Sequence, residues 1–126
     1  MPNYKLPKEL KNRMERELRQ YYDNRKKLDR LKTMLAEEKP ITKDPTGHKV
    51  SMFENTRSLV YLEERLHYVE TVYMRLKPFE QEVYNLIFKE KYDSTSCKVM
   101  KNIDKSTYYN ILNKSTYFLA EEWGEI

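Results

Sequence analysis

One cysteine, two glycines and no long apolar run say first what this 126-residue chain is not. A lone Cys97 excludes an internal disulfide and a cysteine zinc cluster, and it suits a reducing compartment. Buried as packing, its thiol is inert. No apolar stretch nears the roughly 18 residues that a membrane span needs, and no signal-peptide pattern opens the chain. A cytoplasmic protein without membrane contact is therefore expected. There is no Gly-rich phosphate loop, no Ser/His/Asp or Cys/His set, and no carboxylate pair beyond ordinary helix-surface acids, so neither catalysis nor a cofactor is expected. His48 in a polar loop and His67 beside Leu66 lack companion ligands, so no metal site is expected either. Two Gly and five Pro, in a chain rich in Glu, Lys, Arg and Leu, point to long helices.

What is present is polar. Charged residues make up 35%, hydrophobic residues 39%, and mean hydropathy is -0.94. This suits one domain, or a small domain plus an oligomerisation element, with much exposed helix surface. The net charge of +4 is a mild hint of nucleic acid, and its distribution says more. Residues 1–39 carry twelve Lys and Arg against seven Asp and Glu, whereas residues 78–126 carry six against eight. Within 91–114 the balance reverses to five against two, because the acids crowd the ends of that region.

Taken in order, Pro7 suits the first turn of a helix. Leu6, Leu10, Met14, Leu18, Tyr21, Tyr22, Leu28, Leu31 and Leu35 then recur mostly at spacings of three, four or seven, up to the stop at Pro40. That predicts one amphipathic, basic helix of about 30 residues, roughly 45 Å long. A stripe of that length needs a partner helix. Residues 40–50, with Pro40, Pro45, Thr46 and Gly47, read as a linker. Ser51-Met52-Phe53-Glu54 has the form of a capping box and predicts a helix start there, with Asn55 as the alternative. Leu59, Leu62, Leu66, Val69, Tyr73 and Leu76 follow at alternating steps of three and four, an unbroken heptad seam assigned to oligomerisation. The seam can close a hairpin with the first helix, join two subunits, or do both.

Lys77-Pro78 separates that segment from a C-terminal domain. Phe79, Val83, Leu86, Ile87 and Phe88 form the expected apolar face of the next helix. Ser94 is the expected N-cap of a helix of about eight residues, with Cys97 at a close helix crossing and Val99 or Met100 as its second inward contact. Asn102 stands where a left-handed turn residue is needed, Ile103 is the expected buried turn residue, and Asp104 the N-cap of a third helix. On that helix Tyr108, Ile111, Leu112, Ser115 and Leu119 share an inward face. Lys105, Ser106, Tyr109, Asn110, Asn113 and Lys114 share an outward one without a single acid. Asn can bond adenine bidentately, Lys can reach guanine or phosphate, and hydroxyls can bond phosphates. With Lys101 and Thr107, these residues form the expected DNA-binding set.

Residues 79–119 resemble the helix-turn-helix of sigma-factor region 4, carried by Glu80-Gln81-Glu82-Val83, Cys97, Ile103 and Ser106-Thr107-Tyr108-Tyr109. The whole chain resembles the small phage late-gene transcription activators of the RinA/ArpU type, down to Leu119-Ala120-Glu121-Glu122 and nearby Gly124. It departs from many relatives in lacking Arg on the third helix.

The expectation is thus an all-α chain: a long helical hairpin or coiled-coil segment over 1–77, and a helix-turn-helix DNA-binding domain over 78–126. Its expected partners are double-stranded promoter DNA and further copies of itself, as a homodimer or higher homo-oligomer. The resemblance implies activation of a phage packaging and lysis operon. Two rival expectations are a phage terminase small subunit that recognises packaging-site DNA, and an RNA-polymerase-binding module that reads no bases.

Overall fold

The computed structural model describes the backbone at residues 4–37 and 45–126, and side chains at 4–36 and 57–126. It is all-helical among the described residues. The elements are α1 (Lys8–Arg19), α2 (Tyr21–Glu37), α3 (Pro45–Arg75), α4 (Pro78–Tyr84), a π-helical turn (Asn85–Lys89), α5 (Ser94–Lys101) and α6 (Lys105–Glu122). No described helix is long and apolar enough to cross a membrane.

Two expectations about the first half need correction. The single helix expected up to Pro40 breaks at Gln20, where ψ opens to -2° and the N–H donates to the Arg16 carbonyl at 2.9 Å. No Pro or Gly marks the break. The expected linker is also shorter. Residues 45–50 are already helical, so α3 starts at Pro45, six residues before the Ser51 capping box. Proline is at home in a first helical turn, where its missing N–H costs nothing. Pro45-Thr46-Gly47 therefore reads as a turn yet opens a helix. The rest of the expected linker, with Pro40, and the side chains of His48 and the Ser51 box lie outside the described residues.

The chain folds as two compact units, residues 21–67 and the combination of 1–20 with 68–126, rather than dividing at 77/78. The first unit joins α2 to the part of α3 that ends at His67. Leu28, Leu62 and Leu66 form its core, with Tyr21, Leu31 and Leu59 packed against them. Lys32 and Glu63 make an ion pair at 3.4 Å. Leu62, Leu66, Val69 and Leu76 are all buried within one chain, and Leu59 and Tyr73 are half-buried. Most of the heptad seam is therefore covered within the chain.

In the second unit α1 lies against α6, burying Met14 and Leu18 completely. Its Arg19 reaches over the Phe88 ring at 5.5 Å and bonds Glu15 at 3.1 Å. Burial pulls the guanidinium pKa down, but bonds to Glu15 and Tyr108 more than offset this, so the net shift is upward. Tyr73 anchors the end of α3: its carbonyl accepts from Gln81 and its ring meets Tyr84 edge-on at 5.4 Å.

The buried face of α4 and the π turn is Val83, Tyr84, Ile87 and Phe88. Its centre lies roughly 100° round the helix from Phe79, which is 57% exposed rather than part of that face. Leu86 is only half-buried. The π turn then closes on Lys91, a non-glycine residue at φ 61°.

Candidate nucleic-acid interface

The second unit carries a two-turn helix, a three-residue turn and a longer helix. Asp93 caps α5, its carboxylate accepting from the Ser96 N–H at 2.7 Å, one residue earlier than the Ser94 cap expected. That bond holds the Asp93 carboxyl below its usual range. α5 buries only Cys97, whose thiol burial pushes up. Val99 and Met100, one or other of which was the expected second inward contact, are 77% and 63% exposed. The helix is too short to cover a second apolar layer and closes at Asn102, which adopts φ 56° as expected. The Ile103 N–H then donates back to the Cys97 carbonyl at 3.1 Å. The Asn102 N–H donates to the same carbonyl, so both turn amides fold back over the helix end, as the left-handed residue permits. Ile103 itself is half-buried.

Asp104 precedes α6 at extended dihedrals, but its side chain makes no capping bond. Its charge still favours the positive helix end. Along α6, Tyr108, Ile111, Leu112, Ser115 and Leu119 are all buried, as their spacing predicts, together with Thr116, Phe118 and Ala120. Tyr108 donates its hydroxyl to the Tyr92 carbonyl at 3.3 Å, tying α6 to the loop before α5.

The eight residues expected to meet DNA separate into two groups. Lys101, Lys105, Ser106, Tyr109 and Asn110 are exposed, and Thr107 is half-exposed. Asn113 and Lys114 are not available in the same way. The Asn113 Oδ1 is buried and has no hydrogen-bond partner. Lys114 reaches the Glu80 carboxylate at 2.7 Å, with the two side chains only 17% and 14% exposed. Its ammonium also lies over the Phe118 and Tyr4 rings at 5.5 and 5.8 Å. The second Glu80 oxygen accepts the Lys77 N–H at 2.9 Å, closing the start of α4. Burial raises the Glu80 carboxyl, but the bonds from Lys114 and Lys77 outweigh it and hold the pKa below its ordinary value. Lys114 is thus a strut between α6 and α4. On a helical wheel it sits with the outward residues, but it lies nine positions beyond Lys105, where the packed body has closed over the helix.

Sequence reasoning passed over Lys98, which is exposed and one turn before Lys101 on α5. The three-residue spacing of the two lysines was the available signal. Lys89 and Lys91 are exposed as well. Among the described residues none of Lys89, Lys91, Lys98, Lys101 and Lys105 is ion-paired. The acids at the far end of α6 are engaged instead. Arg75 bonds Glu121 at 2.9 Å and Glu122 at 3.1 Å while stacking on Phe118 at 3.9 Å, and Arg13 pairs with Glu125. Gly124, at φ 78°, turns the chain after α6.

No three of His, Cys, Asp and Glu converge to hold a metal ion among the described residues. No family model, curated protein or solved structure matches the chain.

Proposed function

We propose that this chain is a sequence-specific DNA-binding transcription regulator, with α5, the Asn102-Ile103-Asp104 turn and α6 as a helix-turn-helix reader. One observation carries the reading. The first two turns of α6 expose Lys105, Ser106, Tyr109 and Asn110, next to unpaired Lys98 and Lys101 on α5. The Lys, Arg and acid pairs of the same unit lie elsewhere. A helix start bearing hydroxyls, an amide and uncompensated lysines suits a major groove lined by phosphates. The resemblance to RinA/ArpU-type activators makes a phage late-operon promoter the first target to test.

Sequencing the fragments that the full chain retains from a genomic library, followed by footprinting, tests this reading. A discrete protected site is expected. Replacing Lys98, Lys101 and Lys105 together by Ala should weaken binding to all sequences and flatten the slope of log affinity against log salt by about two to three. Retention without any preferred fragment would overturn sequence-specific regulation.

Exposed Val99 and Met100 favour a second reading, a module that contacts RNA polymerase without touching bases. It requires Val99→Ser/Met100→Ser, and not the lysine variant, to abolish promoter activation.

A further inference from the structure

On the DNA-binding reading, the question becomes which bases α6 can discriminate, and the structure shortens the set of candidates sharply. Adenine is read bidentately by a side-chain amide that accepts from N6–H and donates to N7. Two Asn residues lie on the outward side of α6, but the buried Asn113 Oδ1 cannot accept from a base. Asn110 is exposed and keeps both halves of its amide.

Its neighbour Tyr109 leans with one edge on a buried ring. Its ring meets the Tyr108 ring edge-on at 5.1 Å, and Tyr108 is buried with its hydroxyl on the Tyr92 carbonyl. Tyr109 nevertheless leaves 41% of its surface to solvent. An exposed aromatic side chain beside an amide offers an apolar surface of the kind that meets a thymine methyl. The remaining exposed groups, Lys105 and Ser106, lie in the first turn of the helix, whose positive N-terminal end attracts phosphate. Residues 105–110 span only about 7.5 Å of helix, so one copy contacts few base pairs.

We infer that base discrimination by α6 rests on Asn110 and Tyr109 and selects an A·T pair in the major groove. Asn110 bonds the adenine, and Tyr109 covers the thymine methyl of that pair or of the adjacent one. Lys98, Lys101 and Lys105 supply grip without sequence preference.

Selection from randomised duplexes with the full chain tests this, followed by binding to modified versions of the selected duplex. Wild type should enrich an A·T pair. Replacing that adenine by 7-deazaadenine, which lacks the N7 acceptor, should weaken wild-type binding roughly tenfold or more and leave Asn110→Ala unaffected. Replacing thymines by deoxyuridine should weaken wild type but not Tyr109→Ala. Both variants alter exposed positions, so circular dichroism should match wild type. Enrichment of a site without an A·T preference, or equal sensitivity of Asn110→Ala to 7-deazaadenine, would overturn the inference while leaving DNA binding standing. Enrichment of no sequence at all would overturn both.

Discussion

Replacing Lys114 by Ala separates a strut from a reader. Its ammonium sits 2.7 Å from Glu80, and both side chains are more than four-fifths buried. Exposed pairs contribute about 0–1 kcal/mol, whereas removing one partner of a fully buried pair costs about 3–5 kcal/mol. The remaining exposure, and the Lys77 N–H that Glu80 retains, put this pair between those limits, at about 2 kcal/mol. For a chain of this length each kcal/mol shifts the melting temperature by about 3–6 °C. Lys114→Ala should therefore melt about 6–12 °C lower by circular dichroism or calorimetry. Lys114→Ala and Glu80→Ala should also be strongly non-additive, with a coupling of about 1–2 kcal/mol. Measured well below the transition, DNA affinity and its salt dependence should stay as in wild type, because the charge never reaches phosphate. An unchanged melting temperature together with weakened, less salt-sensitive DNA binding would refute this reasoning and return Lys114 to the groove.

Acid stability follows from the same pair. The folded Glu80 pKa lies below its ordinary value of 4.5, so its stabilisation is complete above about pH 4.5 and is lost as pH falls through the lower folded value. Glu80→Gln should lower stability at pH 7 and flatten the acid limb of a pH–stability curve; an acid limb identical to wild type contradicts the assignment. At the turn, Asn102→Gly should be neutral or stabilising and Asn102→Val destabilising by about 1–2 kcal/mol, since φ 56° penalises a β-branched residue; denaturant midpoints decide. Leu66→Asp puts a charge into the core shared with Leu28 and Leu62 and should lose helix by circular dichroism at every protein concentration. Loss confined to dilute samples would point to a seam between subunits instead.

Periodicity made much of the fold readable. The three-and-four spacing of Tyr108, Ile111, Leu112, Ser115 and Leu119 marks a helix face, and all five are buried. Asn102 was readable because few residues other than Gly and Asn tolerate its conformation. Other features leave no local trace. Gln20 breaks a helix without Pro or Gly, Pro45 opens one where a turn was expected, and the π turn at Asn85–Lys89 shifts the register of a helix that reads as regular. The grouping of α1 with α6 depends on contacts between distant segments, which spacing along one helix does not encode.

At the candidate interface, the sequence pattern marked the outward stripe of α6 but not its length. Lys114 and Asn113 share that stripe with Lys105 and Asn110. What separates them is Glu80, contributed from a different helix, and the packing that buries the Asn113 Oδ1. The charge of the region was likewise legible only as a total. Which lysines are spent on internal acids and which are left free is a property of the folded unit. Within residues 91–114 it pairs Lys114 and leaves Lys91, Lys98, Lys101 and Lys105 uncompensated among the described residues.

The most direct test is an amide NMR titration of the full 126-residue chain with the duplex obtained by selection. The expected shifts fall on Lys98–Asn110 and leave Glu121–Glu125, at and beyond the end of α6, unmoved. Shifts absent from Lys98–Asn110, or concentrated at the acidic end, would contradict a helix-turn-helix reader.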